Sequence, residues 1–176
     1  MSNGDKLKGD DRRALLIEWL KTSAEPLSGS ILANKTNVSR QVIVQDMSLL
    51  KASGEPIMAT AQGYIYINAE KGHPFSRVIA ANHTADTTID ELNTIVDHGV
   101  TVEDVTVEHP VYGDIKASLK LSSRVDVEEF MKRLTDTNAV LLSALTEGVH
   151  THTLTSDSKE KIDKACQALS EKGYLL

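Results

Sequence analysis

Residues Leu27 to Gly54 read LSGSILANKTNVSRQVIVQDMSLLKASG, two short helices around a tight polar turn. Ser28 is placed to cap a helix that buries Ile31 and Leu32, and Lys35-Thr36-Asn37 interrupts the apolar pattern where a turn is needed. From Ser39, whose hydroxyl can serve the orphan amides of a first turn, Val42, Ile43, Met47, Leu49 and Leu50 recur at roughly helical spacing. Arg40, Gln41, Gln45 and Ser48 fall on or near the other face, with side chains that hydrogen-bond base edges and phosphates. A helix-turn-helix needs this division, with one face holding the recognition helix to its neighbours and the N-terminal end of the other entering a major groove. Periodicity alone also fits a helical hairpin with a solvated polar face.

The residues that follow decide for the helix-turn-helix. Gly54 suits a helix C-cap, and Pro56-Ile57-Met58-Ala59 and Tyr64-Ile65-Tyr66-Ile67 flank a turn containing Gln62-Gly63, which predicts a short hairpin, or wing. In the order helix, helix-turn-helix, wing, the stretch VSRQVIVQDMSLLKASGEPIMATAQGYIYI resembles the winged-helix DNA-binding domain of the biotin-repressor type. The DNA-reading set expected here is Ser39, Arg40, Gln41 and Gln45, with Gln62 and Tyr64 of the wing reaching the backbone or minor groove.

Upstream, Asp10 or Asp11 is expected to cap a first helix through Leu20, with Trp19 in the core or at a domain contact, and Glu25-Pro26 ends that segment. Downstream, the Gly- and Pro-punctuated run Asn68 to Pro74 reads as a linker between a domain over residues 1–70 and another over 75–176.

The net charge of −6 speaks at first against a nucleic-acid partner. Divided, residues 1–70 carry 8 basic and 8 acidic side chains, and residues 71–176 carry 11 and 17. The acid therefore sits in the second half, and a neutral reading head gains less from counterion release than a basic one. That argues for two heads, as in dimers whose recognition helices lie one helical turn apart. There is no long apolar run and no signal-peptide core, so no membrane partner and a cytoplasmic location are expected. The single cysteine, Cys166, permits no internal disulfide, and its expected role is packing.

From Phe75 the periodicity alternates β-branched runs with amphipathic helices. Arg77–Ala81, Val100–Val107, Asp114–Leu121, Val140–Ala144 and Val149–Thr155 read as strands. Thr88–His98, burying Ile89, Leu92, Ile95 and Val96, Val125–Thr135 and Lys159–Lys172 read as helices. The order predicts an α+β fold, a two-layer domain with an antiparallel sheet under helices.

On the last of those strands GVHTHT places His150 and His152 on one face, about 6 to 7 Å apart at the backbone, a spacing that lets two imidazoles converge on one ion. The same pair is also compatible with a partly exposed sheet face. Upstream, His83 follows the first strand and Glu91 opens the next helix, where Thr88-Ile89-Asp90-Glu91 also matches a capping box that would occupy the glutamate. A carboxylate added to imidazoles holds a first-row divalent ion with positions left open.

His83 with Glu91 eight residues on, HPVYGDI from His109 to Ile115, and GVHTHT together resemble the three-histidine (3H) domain. The whole chain, winged helix then 3H domain, is similar to the NiaR family of niacin-responsive transcriptional repressors. The resemblance implies one divalent transition metal ion per chain (nickel, zinc, iron, cobalt or manganese) held by His83, Glu91, His150 and His152. It also implies nicotinic acid as co-repressor, a homodimer on a double-stranded DNA operator, and repression of genes for niacin uptake or NAD biosynthesis. His109 and Tyr112 are expected either to form a turn before a strand or to touch the ligand. Two rival functions stay open. One is a metal-dependent hydrolase or ligase with a winged-helix appendage, although neither a Gly-rich phosphate loop nor an HExxH is present. The other is a regulator for which the metal itself is the signal.

Overall fold

Two side-chain caps fix the helices of the reading head. In the computed structural model, which describes residues 7–67 and 75–176, Ser28 accepts a hydrogen bond from the Ile31 amide and Ser39 one from the Val42 amide. These start α2 (Gly29–Thr36) and α3 (Arg40–Ala52), and Asn37, left-handed at φ 53°, ends the first of them and makes the turn. Before them runs α1 (Gly9–Thr22), and after them β1 (Ile57–Thr60) pairs antiparallel with β2 (Gly63–Tyr66) as a wing. Gly63 is obligatory at the wing turn: its φ is +135°, and a Cβ there would lie 2.6 Å from the Leu27 carbonyl.

The three helices and the wing bury one core of Leu16, Leu20, Leu32, Ala33, Ile43, Met47, Leu50 and Ile57. Three expectations are corrected here. Lys8, not an aspartate, stands at the N-cap of α1 and gives no side-chain cap; Asp10 and Asp11 lie inside the first turn, where negative charge favours the helix end. Ile31 is exposed while Leu32 and Ala33 turn inward. On α3 the inner stripe is Ile43, Asp46, Met47 and Leu50, and Leu49 is 55% exposed. The 3.6-residue period assigns the inward place one turn before Leu50 to a carboxylate, so residue type misplaced Leu49. Asp46 is held there by Arg12 through Nε–Oδ2 at 2.6 Å and Nη2–Oδ1 at 3.2 Å, and by Arg13 through Nη1–Oδ1 at 3.2 Å.

The chain divides into two compact units, Met1–Lys71 and Gly72–Leu176. The run Asn68–Pro74, with His73, lies outside the described residues. In the second unit β3 (Phe75–Asn82), β6 (Val149–Ser156), β4 (Thr101–His109) and β5 (Gly113–Leu121) lie side by side in that order, all antiparallel. Against one face pack α4 (Thr88–Asp97), α5 (Arg124–Thr137) and α6 (Lys159–Glu171), burying Leu92, Ile95, Val127, Ile162, Ala165 and Leu169. Cys166 is half-buried on α6, beside the Arg77 guanidinium.

Three expectations change in this unit. Val140–Ala144 is no strand: the chain makes a 3-10 turn at Leu142–Thr146, and Val140, Leu141 and Leu142 face a cavity instead of a neighbouring strand. A short apolar run satisfies either arrangement, so periodicity cannot separate them. Ile89 is exposed and Thr88 buried, because α4 is rotated so that Glu91 points inward. Lastly, β4 runs on to His109 before Pro110 stops it. Among the described residues no helix is long and apolar enough to cross a membrane.

Candidate metal centre

The β3–β6 pairing brings three histidines to one place. Its register sets Ala81 opposite His150 and Ile79 opposite His152, so both imidazoles point to the helix-covered face and His83 follows just past the end of β3. Gly148, with φ +98°, permits the close approach: a Cβ there would lie 2.4 Å from the His83 carbonyl oxygen. From the opposite layer α4 inserts Glu91, 1% exposed. The capping-box alternative fails, since the N-cap of α4 is Thr87 and makes no side-chain cap bond.

All three imidazoles turn Nε2 toward that one carboxylate. His83 Nε2 lies 2.7 Å from Oε2, and His150 and His152 Nε2 lie 3.3 and 3.6 Å from Oε1. Their other nitrogens are held from behind. His150 Nδ1 meets the Gly148 carbonyl at 2.8 Å, His152 Nδ1 the Asp104 carbonyl at 2.6 Å, and His83 Nδ1 the Thr84 carbonyl at 3.0 Å. A carbonyl only accepts, so each Nδ1 donates, and in the neutral ring Nε2 then carries a lone pair. With the rings neutral, three lone pairs and a carboxylate converge on one place. A carbonyl behind each ring nitrogen is the arrangement that orients metal-ligating histidines.

Hydrogen-bond geometry supports the same reading. Although His83 Nε2 and Glu91 Oε2 are close, their alignment is not that of a hydrogen bond, and both atoms are buried without a hydrogen-bond partner. Each suits a bond to a common third atom. His83, Glu91 and His150 each offer a ligand atom within 4.8 Å of the others, and His152 adjoins this trio through its contact with Oε1. The donor set, imidazole nitrogen with one carboxylate, fits a first-row divalent cation.

Without a cation the group compensates itself electrostatically. Burial pushes the Glu91 carboxyl up, but contacts from His150, His152 and His83 outweigh it and hold it ionised, well below the usual carboxylate range. His83 is raised in turn, chiefly by its contact with Glu91.

The cluster forms one end of a cavity of about 190 Å³. Apart from Thr88 and Ser143 the rest of its wall is apolar, including Leu92, Leu119, Phe130, Leu134 and Leu141, and among the described residues no Lys or Arg lines it. His109 and Tyr112 do not line it either. They stack at the tip of the β4–β5 hairpin, ring centroids 5.0 Å apart, with His109 Nδ1 accepting from the Val111 and Tyr112 amides. His98 ends α4 as its C-cap.

Two supporting residues escaped the sequence reading. Asp104, buried on β4, accepts from the Thr153 amide at 3.1 Å and pairs with Lys116 at 2.7 Å, which fixes the carbonyl behind His152. A charged residue on the inward side of an alternating strand is a signal that could have flagged it. Tyr174 packs its ring 5.2 Å from that of His83 and donates to Asp90 at 2.7 Å; nothing local in the sequence marks it.

In the first unit Arg40, Gln41 and Gln45 are exposed along α3, and Ser39 is occupied as its cap. Gln62 is partly buried, its Nε2 enclosed, and Tyr64 is half-buried against the core with Lys51 Nζ over its ring at 5.8 Å.

Residues 76–176 match the family model of the 3H domain, and residues 12–65 that of an HTH domain. The chain is 53% identical over 173 residues to transcription repressor NadR of Bacillus subtilis (strain 168), covering 97% of this chain and 96% of the relative. It is 36% identical over 166 residues to probable transcription repressor NiaR of Thermotoga maritima, covering 94% of each.

Proposed function

The chain belongs to the 3H-domain family of NadR- and NiaR-type transcription repressors, and from that premise we propose that it represses genes of niacin uptake or NAD biosynthesis with nicotinic acid as its co-repressor. It is a regulator, not an enzyme. As a cytoplasmic homodimer it engages a double-stranded operator, each head laying α3 in a major groove. Arg40 contacts guanine or a phosphate, Gln41 and Gln45 contact base edges, and Gln62 and Tyr64 follow the backbone beside them. Ser39 presents the helix N-terminus to the duplex.

His83, Glu91, His150 and His152 hold a divalent transition metal, which supplies positive charge and open coordination positions at the end of an apolar cavity. The observation that carries the effector reading is that cavity. It is small, walled by leucines and Phe130, free of Lys and Arg among the described residues, and ends on lone-pair donors. Such a site suits a flat aromatic ring bearing one carboxylate, whose charge is then balanced by the bound ion. Nicotinate shifts the chain toward the DNA-competent form only by binding that form more tightly.

The test is operator affinity with and without nicotinate, at fixed salt and metal. The expected result is tighter binding with nicotinate, abolished by chelation. Unchanged affinity would sink the effector reading, and affinity that follows the metal at zero nicotinate would make the ion itself the signal.

A further inference from the structure

Thr88 opens α4 one turn before Glu91 and is only 7% exposed. Its hydroxyl oxygen is buried and has no hydrogen-bond partner among the described residues. Elsewhere the helical threonines satisfy themselves: Thr36, Thr94 and Thr135 each donate to the carbonyl four residues back, and Thr87 to that of Thr84. A buried hydroxyl left unpaired costs free energy, so an exception asks for a partner from outside the chain. Thr88 lines the same cavity as the four ligand-type residues, and apart from those four the polar side chains of the wall among the described residues are Thr88 and Ser143.

A pyridine carboxylate entering this cavity has two ends to satisfy. With no Lys or Arg in the wall among the described residues, the metal end is where the carboxylate finds opposite charge. The ring nitrogen, an uncharged acceptor, then points away from the ion and requires a neutral donor. Residues three apart on a helix face one another across about 5 to 6 Å, on the order of one aromatic ring, which is the separation between Glu91 and Thr88 positions. Resting on the metal and nicotinate reading above, we infer that Thr88 Oγ1 donates to the ring nitrogen of the bound acid. Thr88 is then the residue by which the cavity distinguishes a pyridine carboxylate from the benzene acid of the same shape. A site built to hydrogen-bond a ligand atom discriminates strongly against an analogue lacking it, because its own polar group is then left unpaired.

The experiment is calorimetric titration of the full-length, metal-loaded chain with nicotinate and, separately, with benzoate, for the unaltered protein, Thr88→Val and Thr88→Ser. Thr88→Val removes the hydroxyl at nearly constant volume and is expected to weaken nicotinate binding about ten-fold, the loss of one buried hydrogen bond. Benzoate affinity should change less than about two-fold, metal content should stay the same, and Thr88→Ser should restore the preference for nicotinate. Thr88→Val binding nicotinate as tightly as the unaltered chain overturns the inference, and so does an equal loss for both acids or a preference that vanishes in Ser143→Ala instead. An unaltered chain that takes up metal but no nicotinate overturns the effector reading itself, and this inference with it.

Discussion

The most deeply buried carboxylates of the two units are Asp46 and Glu91, and they are satisfied in opposite ways. Asp46, 2% exposed, sits in the middle of α3 among the donors of two arginines, groups that stay charged at any physiological pH. Glu91 faces three imidazoles whose Nδ1 atoms are turned to backbone carbonyls; His150 Nε2 meets Oε1 at 3.3 Å, while His83 Nε2 and Oε2 lie close without closing a hydrogen bond. Permanent donors make the first a strut that sets how the recognition helix sits on α1. Conditional donors make the second a receptacle whose charge balance depends on what enters.

The contrast can be broken from either side. The largest expected effect is Asp46→Ala, which leaves two guanidiniums without their acceptor and should destabilise the first unit by about 3 to 5 kcal/mol. Denaturant unfolding followed by Trp19 fluorescence measures it, with metal uptake by the second unit unchanged; a loss under 1 kcal/mol would mean that Asp46 is no strut. Next comes Glu91→Gln. Losing an outer partner of a metal ligand costs roughly 10- to 100-fold in affinity, and losing the carboxylate itself should exceed that. Competition with a chelator reads the change, and metal affinity that survives intact would make the cluster an ordinary buried ion pair like its counterpart.

Smaller effects sharpen the comparison within the first unit. Arg40→Ala and Gln41→Ala should each weaken operator binding by about 1 to 3 kcal/mol if they read bases, without altering stability. Equal losses on random duplex would reassign them to phosphates. Smallest is His109→Ala: the hairpin tip stands apart from the cavity wall, so nicotinate affinity should move by less than about 0.5 kcal/mol, as for surface substitutions generally. A larger change by titration would bring the tip into the ligand site.

Much of this was legible beforehand, for reasons that differ by region. Ser28, Ser39, Asn37 and Gly63 carry local geometric demands, so the helix-turn-helix and wing can be read from short windows. The strut was hidden because Arg12 and Asp46 are 34 residues apart, and each alone resembles a solvated charge on a helix. In the second unit His150 and His152 were visible through their spacing of two. Glu91 was ambiguous because its local context, TIDE, satisfies a capping box equally well; only the rotation of α4 over the sheet decides. Val140–Ala144 was misread for the same reason. Its side chains answer to a cavity built by α5 and β5, which no window around the segment contains.

Gly148 carries a last consequence. It offers no ligand atom and no contact to DNA, yet any side chain there must displace the backbone that delivers His83. A genetic screen for repressors deaf to their signal should therefore return substitutions at position 148 beside those at the histidines. Mutants of that class would accumulate normally and still hold duplex, their phenotype confined to the missing response.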